Sequence, residues 1–526
     1  MSEPSWKNVA LEAFEAGDRL QAAAVLAEHQ PEVMGCPLML QIYALSAEDQ
    51  NTARALLELA AWDLFPADPG CHYNLAVVNQ EFDLLAEAER GYAQTLRLNP
   101  AHSGALNNLS DLLRRRGRIS DAWNLVQRYI AGGYPAAGLE IRFAKIADEA
   151  GYPDVAQSWF DQARAAAPDD PQVSWEAAMA DLRDERFAAG WQGYEARKAI
   201  YDHGVLGLVH YDLPEWDGKP LKGRSLLIHK EQGLGDMIMF ASCLADLPLK
   251  KGDTVHLAVQ APLARLFANN FTEATVWTSE SKADEPTSAT QYWMQAAGPI
   301  DCQISLASIA RLTRIKEFPK PVPYLQANPS EVAVWKDRIA RIAPESAIST
   351  IKAGLVLTAR RSGASGPGVA DGVGKTIAAH LGSPFTSDIG ISWFSLHDRQ
   401  TADHLATLSG LDVVDCSPWL LDLADTAALI ANLDVVVAVD TAVAHLAGAM
   451  GKKVLLMLRE RTDWRWGRNR TDCLWYPDVE IFRQERDGDW HDVIGQVSAR
   501  LAQLTKTNEA PVAAKAKKRP ERALSK

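Results

Sequence analysis

Ser225-Leu-Leu-Ile-His-Lys-Glu-Gln-Gly-Leu-Gly-Asp236 runs directly into Met237-Ile-Met-Phe-Ala-Ser-Cys-Leu-Ala-Asp-Leu247. The opening residues, Ser225–His229, form an apolar run of strand length; two glycines interrupt the chain, and the second run suits a helix. Strand, glycine turn and helix together are the unit from which wound parallel sheets are built. Gly233 and Gly235 let backbone come close to a ligand, and the helix start offers free N–H groups to an anion or a sugar oxygen. Asp236 falls in the first helical turn, where the helix dipole favours a carboxylate. From spacing alone, an N-terminal cap is the simpler account of it. No third glycine follows Gly-Leu-Gly at the required place, so this is not a dinucleotide fingerprint.

Downstream the same texture continues. Further β-rich runs are Thr254–Val259, Thr275–Thr278, Ala353–Thr358, Ile391–Leu396, Asp412–Asp415, Asp434–Val439 and Lys453–Leu458, with helical patterns such as Ala261–Ala268 and Thr426–Asn432 between them. The alternation predicts parallel sheets covered on both faces, in two groups divided near Pro319–Asn328: two Rossmann-like halves facing a cleft. Ligands of such sheets sit beyond the carboxyl ends of the strands. A second informative turn, Val439-Asp-Thr-Ala-Val-Ala-His445, lies at such an end. Its helix start would aim the N–H groups of Thr441, Ala442 and Val443 outward at a diphosphate, with His445 one turn on and facing the same way. A lone histidine here is as well read as a satisfied structural residue. Gly368-Val-Ala-Asp-Gly-Val-Gly-Lys-Thr376 has valine where a phosphate loop needs glycine, which excludes an ATPase reading. A glycine-rich loop ending in Lys375 still suits an anion.

Upstream of a linker, Leu213-Pro-Glu-Trp-Asp-Gly-Lys-Pro220, the chain repeats. Leu75-Ala76, Leu109-Ser110 and Phe143-Ala144 follow one another at 34 residues, as do Ala88, Ala122 and Ala156, and Tyr92, Val126 and Phe160. That period, with small residues where helices cross and Pro100 and Pro168 closing units, is the tetratricopeptide pattern. Weaker units around Val9-Ala10 and Ala44-Leu45 bring the expectation to five to six repeats. Stacked helical hairpins leave a concave surface, which predicts a bound peptide or protein. Trp123, Trp159 and Trp175 read as packing residues rather than a ligand cage.

The net charge of −13 argues against nucleic acid as the main partner, because phosphate neutralisation needs a basic face. The exception is the run Lys515, Lys517, Lys518, Arg519, Arg522 and Lys526, read as a disordered basic tail. No apolar run reaches the ~18 residues that span a bilayer. The polar, acidic opening predicts no secretory leader. Six scattered cysteines without metal spacing fit a cytoplasmic protein. No cluster of Asp, Glu, His or Cys has the spacing of a metal site, and no cofactor is expected beyond a co-substrate.

Taken with Val322-Pro-Tyr-Leu325, Asp463-Trp-Arg-Trp466, Trp475-Tyr-Pro477, Phe482-Arg-Gln484 and Gly190-Trp-Gln-Gly-Tyr-Glu-Ala-Arg197, these stretches resemble the bacterial tetratricopeptide-repeat glycosyltransferases. The similarity extends over nearly the whole chain to about residue 502. It implies a GT-B module of the heptosyltransferase-like and O-GlcNAc-transferase-like kind, behind an α-helical solenoid. The expected division is repeats at 1–200, linker at 201–222, halves at 223–325 and 326–505, and tail at 506–526. The resemblance implies a metal-independent enzyme that takes a nucleotide-sugar co-substrate. Carried over by position, Asp236 is the general base. Lys375, Asp440, Thr441, Ala442 and His445 line the donor site, and Glu231, Gln232, Gly233 and Gly235 form the acceptor loop. Flagellin glycosyltransferases belong to this group, so the implied partner is a protein acceptor such as flagellin, held by the repeats and modified on Ser or Thr. One departure is Arg360-Arg-Ser-Gly-Ala-Ser-Gly-Pro-Gly368, where the family shows a Trp-Ala-Gly-Asn pattern. It favours a rival reading as a non-catalytic repeat scaffold. A glycan- or lipid-directed transferase is the third reading.

Overall fold

The computed structural model describes residues 5–200, 211–279, 288–342, 351–358, 377, 385, 390–398, 411–460, 463–486 and 488–507. Lys375, the 360–374 stretch and most of the basic tail lie outside them. The chain forms two compact units, Met1–Glu176 and Ala177–Lys526.

The first unit is a series of helical hairpins: α1 (Ser5–Glu15) with α2 (Arg19–Glu28), α3 (Pro37–Leu45) with α4 (Gln50–Glu58), α5 (Pro69–Glu81) with α6 (Leu85–Leu98), α7 (Ser103–Arg115) with α8 (Ile119–Ala131), and α9 (Glu140–Glu149) with α10 (Pro153–Ala166). Every residue of the three sets spaced by 34 is buried: Leu75, Leu109 and Phe143; Ala88, Ala122 and Ala156; Tyr92, Val126 and Phe160. The small members are small because the helices touch. A Cβ on Gly91 would stand 2.7 Å from the Cβ of Ala76 on the facing helix. Trp123 is buried and stacks on Tyr152 with centroids 5.0 Å apart, the packing role expected of it.

The unit boundary falls within α11 (Pro171–Arg183), which leads to α12 (Phe187–Tyr194) and the single turn α13 (Arg197–Ile200). The compact units divide after Glu176, so α12 and α13 belong with the α/β part although their sequence reads as the end of the repeats. Trp191 explains this: it is buried, with its ring 5.5 Å from Trp464, 6.2 Å from Phe240 and 6.3 Å from Trp475.

Two parallel sheets follow. The first has the order β3-β2-β1-β4, from β1 (Ser225–His229), β2 (Thr254–Val259), β3 (Ala274–Thr278) and β4 (Cys302–Ser305). The second has the order β10-β9-β8-β5-β6-β7, from β5 (Ile351–Val356), β6 (Ile391–Ser395), β7 (Val413–Val414), β8 (Val435–Val439), β9 (Lys453–Leu458) and β10 (Val479–Arg483). β4 and β10 escape the sequence pattern. Both are edge strands, and each carries polar residues (Gln303; Glu480 and Arg483) that break the continuous apolar run of a buried parallel strand. Strand order reverses between β1 and β4 in the first sheet and between β5 and β8 in the second. Ligand crevices open at such reversals, beyond the strand carboxyl ends. The turns after β1 and after β8 lie at those two places.

Candidate functional site

The turn after β1 begins with Glu231, which is 2% exposed and bound on both carboxylate oxygens. Arg197 of α13 grips it bidentately, with Nη2 donating to Oε2 at 2.8 Å; Ser305 Oγ and Gln232 Nε2 donate as well. Burial pushes the carboxyl up, but the Arg197 charge and these hydrogen bonds outweigh it and hold it at about 2. Four protein donors thus fill the Glu231 carboxylate, and it ties the loop to α13 and β4. Gln232 has φ +62°, a left-handed turn that reverses the chain into the helix. Its Nε2 donates to Tyr194 Oη at 2.8 Å.

Gly233 caps α14 (Leu234–Ala241), and its N–H donates to Asp236 Oδ2 at 3.0 Å. The capping role expected of Asp236 is present. Its other oxygen, Oδ1, accepts from Arg465 Nη2. Arg465 also donates from Nη1 to Asp463 Oδ1 at 2.6 Å and from Nη2 to Gln232 Oε1 at 3.1 Å, and its guanidinium lies 4.7 Å from the Trp464 ring centroid.

The turn after β8 starts α15 (Ala442–Ala449), with Thr441 as N-cap. Thr441 Oγ1 is buried and has no hydrogen-bond partner among the described residues, and the first N–H groups of the helix have no intrahelical acceptor. His445 Nδ1 lies 2.7 Å from Tyr476 Oη, and its Nε2 lies 3.6 Å from Asp440 Oδ1. When Tyr476 donates to Nδ1, the ring proton sits on Nε2 and faces that carboxylate. The ring stacks on Trp466 with centroids 5.0 Å apart.

The two turns meet. A Cβ on Gly235 would come 2.8 Å from His445 Cδ2 and 3.5 Å from Ala442 Cα, so only glycine fits there without displacement. Asp236, Gly235, Ala442 and His445 thus share one place, while Lys375 lies outside the described residues. Among those residues no group of three or more His, Cys, Asp or Glu side chains is placed to hold a metal ion.

Sequence reasoning did not single out Arg197, Arg465 and Tyr476, which hold these two turns in place. Each sits inside a stretch that carried the resemblance, and flanking tryptophans mark Arg465 as a charge carried into an apolar layer.

Residues 393–486 match the family model described as Glycosyltransferase family 9 (heptosyltransferase). That span holds the Asp440–His445 turn and the Trp464-Arg-Trp466 segment. This part of the chain is similar to the family 9 glycosyltransferases. Protein FlbA of Caulobacter vibrioides is 29% identical over 337 residues, 60% of this chain and 52% of that protein. The chain therefore spans about half the length of this curated relative. A family 9 glycosyl transferase from Veillonella parvula DSM 2008 is similar over 56% of this chain and 99% of its own, with 11% identity and a TM-score of 0.38. A thermophilic tetratricopeptide-repeat protein of Thermus thermophilus is similar over 34% of this chain and 98% of its own, with 16% identity and a TM-score of 0.27. The Asp236 turn precedes the residues matched to the family 9 domain. No helix of the described residues is long and apolar enough to cross a membrane.

Proposed function

We propose that the chain moves a sugar from a nucleotide-sugar donor to a Ser or Thr hydroxyl of a protein held by the repeats, flagellin being one such acceptor. The observation that carries this reading is the meeting of Gly235 with His445 and Ala442, which joins the strand-reversal turns of both sheets within a unit similar in part to the family 9 glycosyltransferases. In this reading the sheets are the two Rossmann-like halves of a GT-B module. The N–H groups at the start of α15, with Thr441 and His445, take the donor diphosphate, because a helix start offers both unpaired donors and a favourable dipole.

Asp236 takes the proton of the acceptor hydroxyl as its oxygen bonds to the anomeric carbon. The bond from that carbon to the diphosphate oxygen breaks, and its electron pair leaves with the nucleoside diphosphate. No metal is required where N–H groups and basic side chains stabilise the departing charge. One observation favours the scaffold reading: both carboxylate oxygens of Asp236 are already engaged, by Gly233 and Arg465. Intact-mass analysis of proteins that co-purify with the chain, from cells with and without its gene, tests the proposal. A sugar-sized mass increment present only with the gene supports transfer; identical masses contradict it.

A further inference from the structure

We propose that Arg465 is shared between Asp236 and the donor diphosphate, so that donor binding withdraws the guanidinium and leaves the carboxylate free to act as base. The inference rests on the glycosyl-transfer reading above. Arg465 is held by two separate turns: Asp236 and Gln232 after β1, and Asp463 after β9. Its side chain is 12% exposed, and its Nε is buried without a hydrogen-bond partner among the described residues. The neighbours on either side of this ion pair converge on one helix start. Gly235, adjoining Asp236, abuts His445 and Ala442, and Trp466, adjoining Arg465, stacks on His445.

A guanidinium has five N–H donors in a planar fork that fits phosphate as well as carboxylate, and a diphosphate brings more charge than one aspartate. Two anions that compete for one cation are coupled, and the coupling is reciprocal: the carboxylate weakens diphosphate binding as much as the diphosphate loosens the carboxylate. With Arg465 in place, Oδ1 of Asp236 carries a charge-assisted hydrogen bond that competes with an incoming hydroxyl for that oxygen. Once the guanidinium moves to the diphosphate, Oδ1 can accept the hydroxyl proton. The acceptor oxygen then bonds to the anomeric carbon, and the electron pair of the broken bond leaves on the diphosphate that Arg465 now holds. Base and leaving-group stabiliser become available in one event, which disfavours proton removal before the donor arrives.

Calorimetric titration of the full chain with sodium pyrophosphate, at fixed ionic strength, tests this. Asp236→Asn keeps a side-chain oxygen that can accept from the Gly233 N–H but removes the competing charge, and it should bind pyrophosphate about 5- to 150-fold more tightly than the natural chain, the usual range of site coupling. Arg465→Gln should weaken binding by about tenfold or more, and Arg465→Lys should retain most of it. The gain from Asp236→Asn should vanish in the double variant with Arg465→Gln, whereas a general effect of removing negative charge would persist there. Unchanged affinity in Asp236→Asn, or a gain that survives loss of Arg465, overturns the proposal. Should Arg465→Gln fail to fold, unchanged affinity in Asp236→Asn still overturns the proposal, and so does an equal gain in Asp217→Asn, which removes the same charge at an exposed position that does not bind Arg465. Ala442→Asp separates this result from the underlying reading: if the natural chain does not bind pyrophosphate, or binds it equally with Ala442→Asp, the donor-site assignment fails and the proposal with it.

Discussion

Arg197→Met removes one partner of a pair in which both side chains are 0% exposed. Methionine fills much of the same volume, so the change isolates the charge. The Glu231 carboxyl then stays buried with only Ser305 and Gln232 to satisfy it. Its folded value of about 2 against an ordinary 4.5 corresponds to a stabilisation on the order of 3 kcal/mol at neutral pH. Removing one member of a buried pair costs roughly 3–5 kcal/mol in general, so the two lines of reasoning agree. A depressed carboxyl stabilises fully above its unfolded value, and that contribution fades as pH falls from about 4.5 towards 2. In Arg197→Met the isolated carboxyl is protonated more readily than in the unfolded chain, so acid relieves its penalty. The deficit of the variant should therefore be largest at pH 7 and shrink steadily below pH 5. Urea unfolding followed by tryptophan fluorescence reads it, since Trp191, Trp464 and Trp475 lie in one cluster of this unit. A variant within ~0.5 kcal/mol of the natural chain at pH 7 would refute the reasoning. So would a deficit that grows in acid.

Truncation to residues 177–526 should leave a cooperatively melting α/β unit, whereas truncation to 201–526 also removes Trp191, Tyr194 and Arg197 and should abolish the cooperative transition; differential scanning calorimetry compares them. Gly235→Ala places a methyl 2.8 Å from the His445 ring and should cost about 1–3 kcal/mol by overpacking, read as a lower melting temperature and weaker pyrophosphate binding in calorimetry. EDTA should not slow sugar transfer, and a loss of turnover restored by Mg²⁺ or Mn²⁺ would show that a metal carries the leaving-group charge instead.

The solenoid was legible because each repeat solves the same packing problem with the same residue sizes, so Ala88, Ala122 and Ala156 recur in step. Most strands were legible because central parallel strands are apolar throughout, as Val435–Val439 is. Edge strands β4 and β10 relax that demand and lost the signal. In the site, the glycine turns and helix starts showed locally, since a glycine turn and a helix start are written in consecutive residues. The Arg465–Asp236 contact joins residues 229 positions apart and leaves no mark in spacing. The Glu231–Arg197 pair is hidden for the same reason: its partners lie 34 residues apart, one on α13 and one in the turn after β1.

The central claim is tested most directly by the rate of sugar transfer in Asp236→Asn, measured beside its melting temperature and its pyrophosphate affinity. Asparagine keeps an oxygen that can accept from the Gly233 N–H at the start of α14, so the fold should survive. Loss of a positioned base should slow transfer by about 10²–10⁴-fold. A stable variant that binds the anion and no longer transfers sugar is the result expected. A stable variant that transfers at the natural rate would return Asp236 to its capping role and contradict the mechanism.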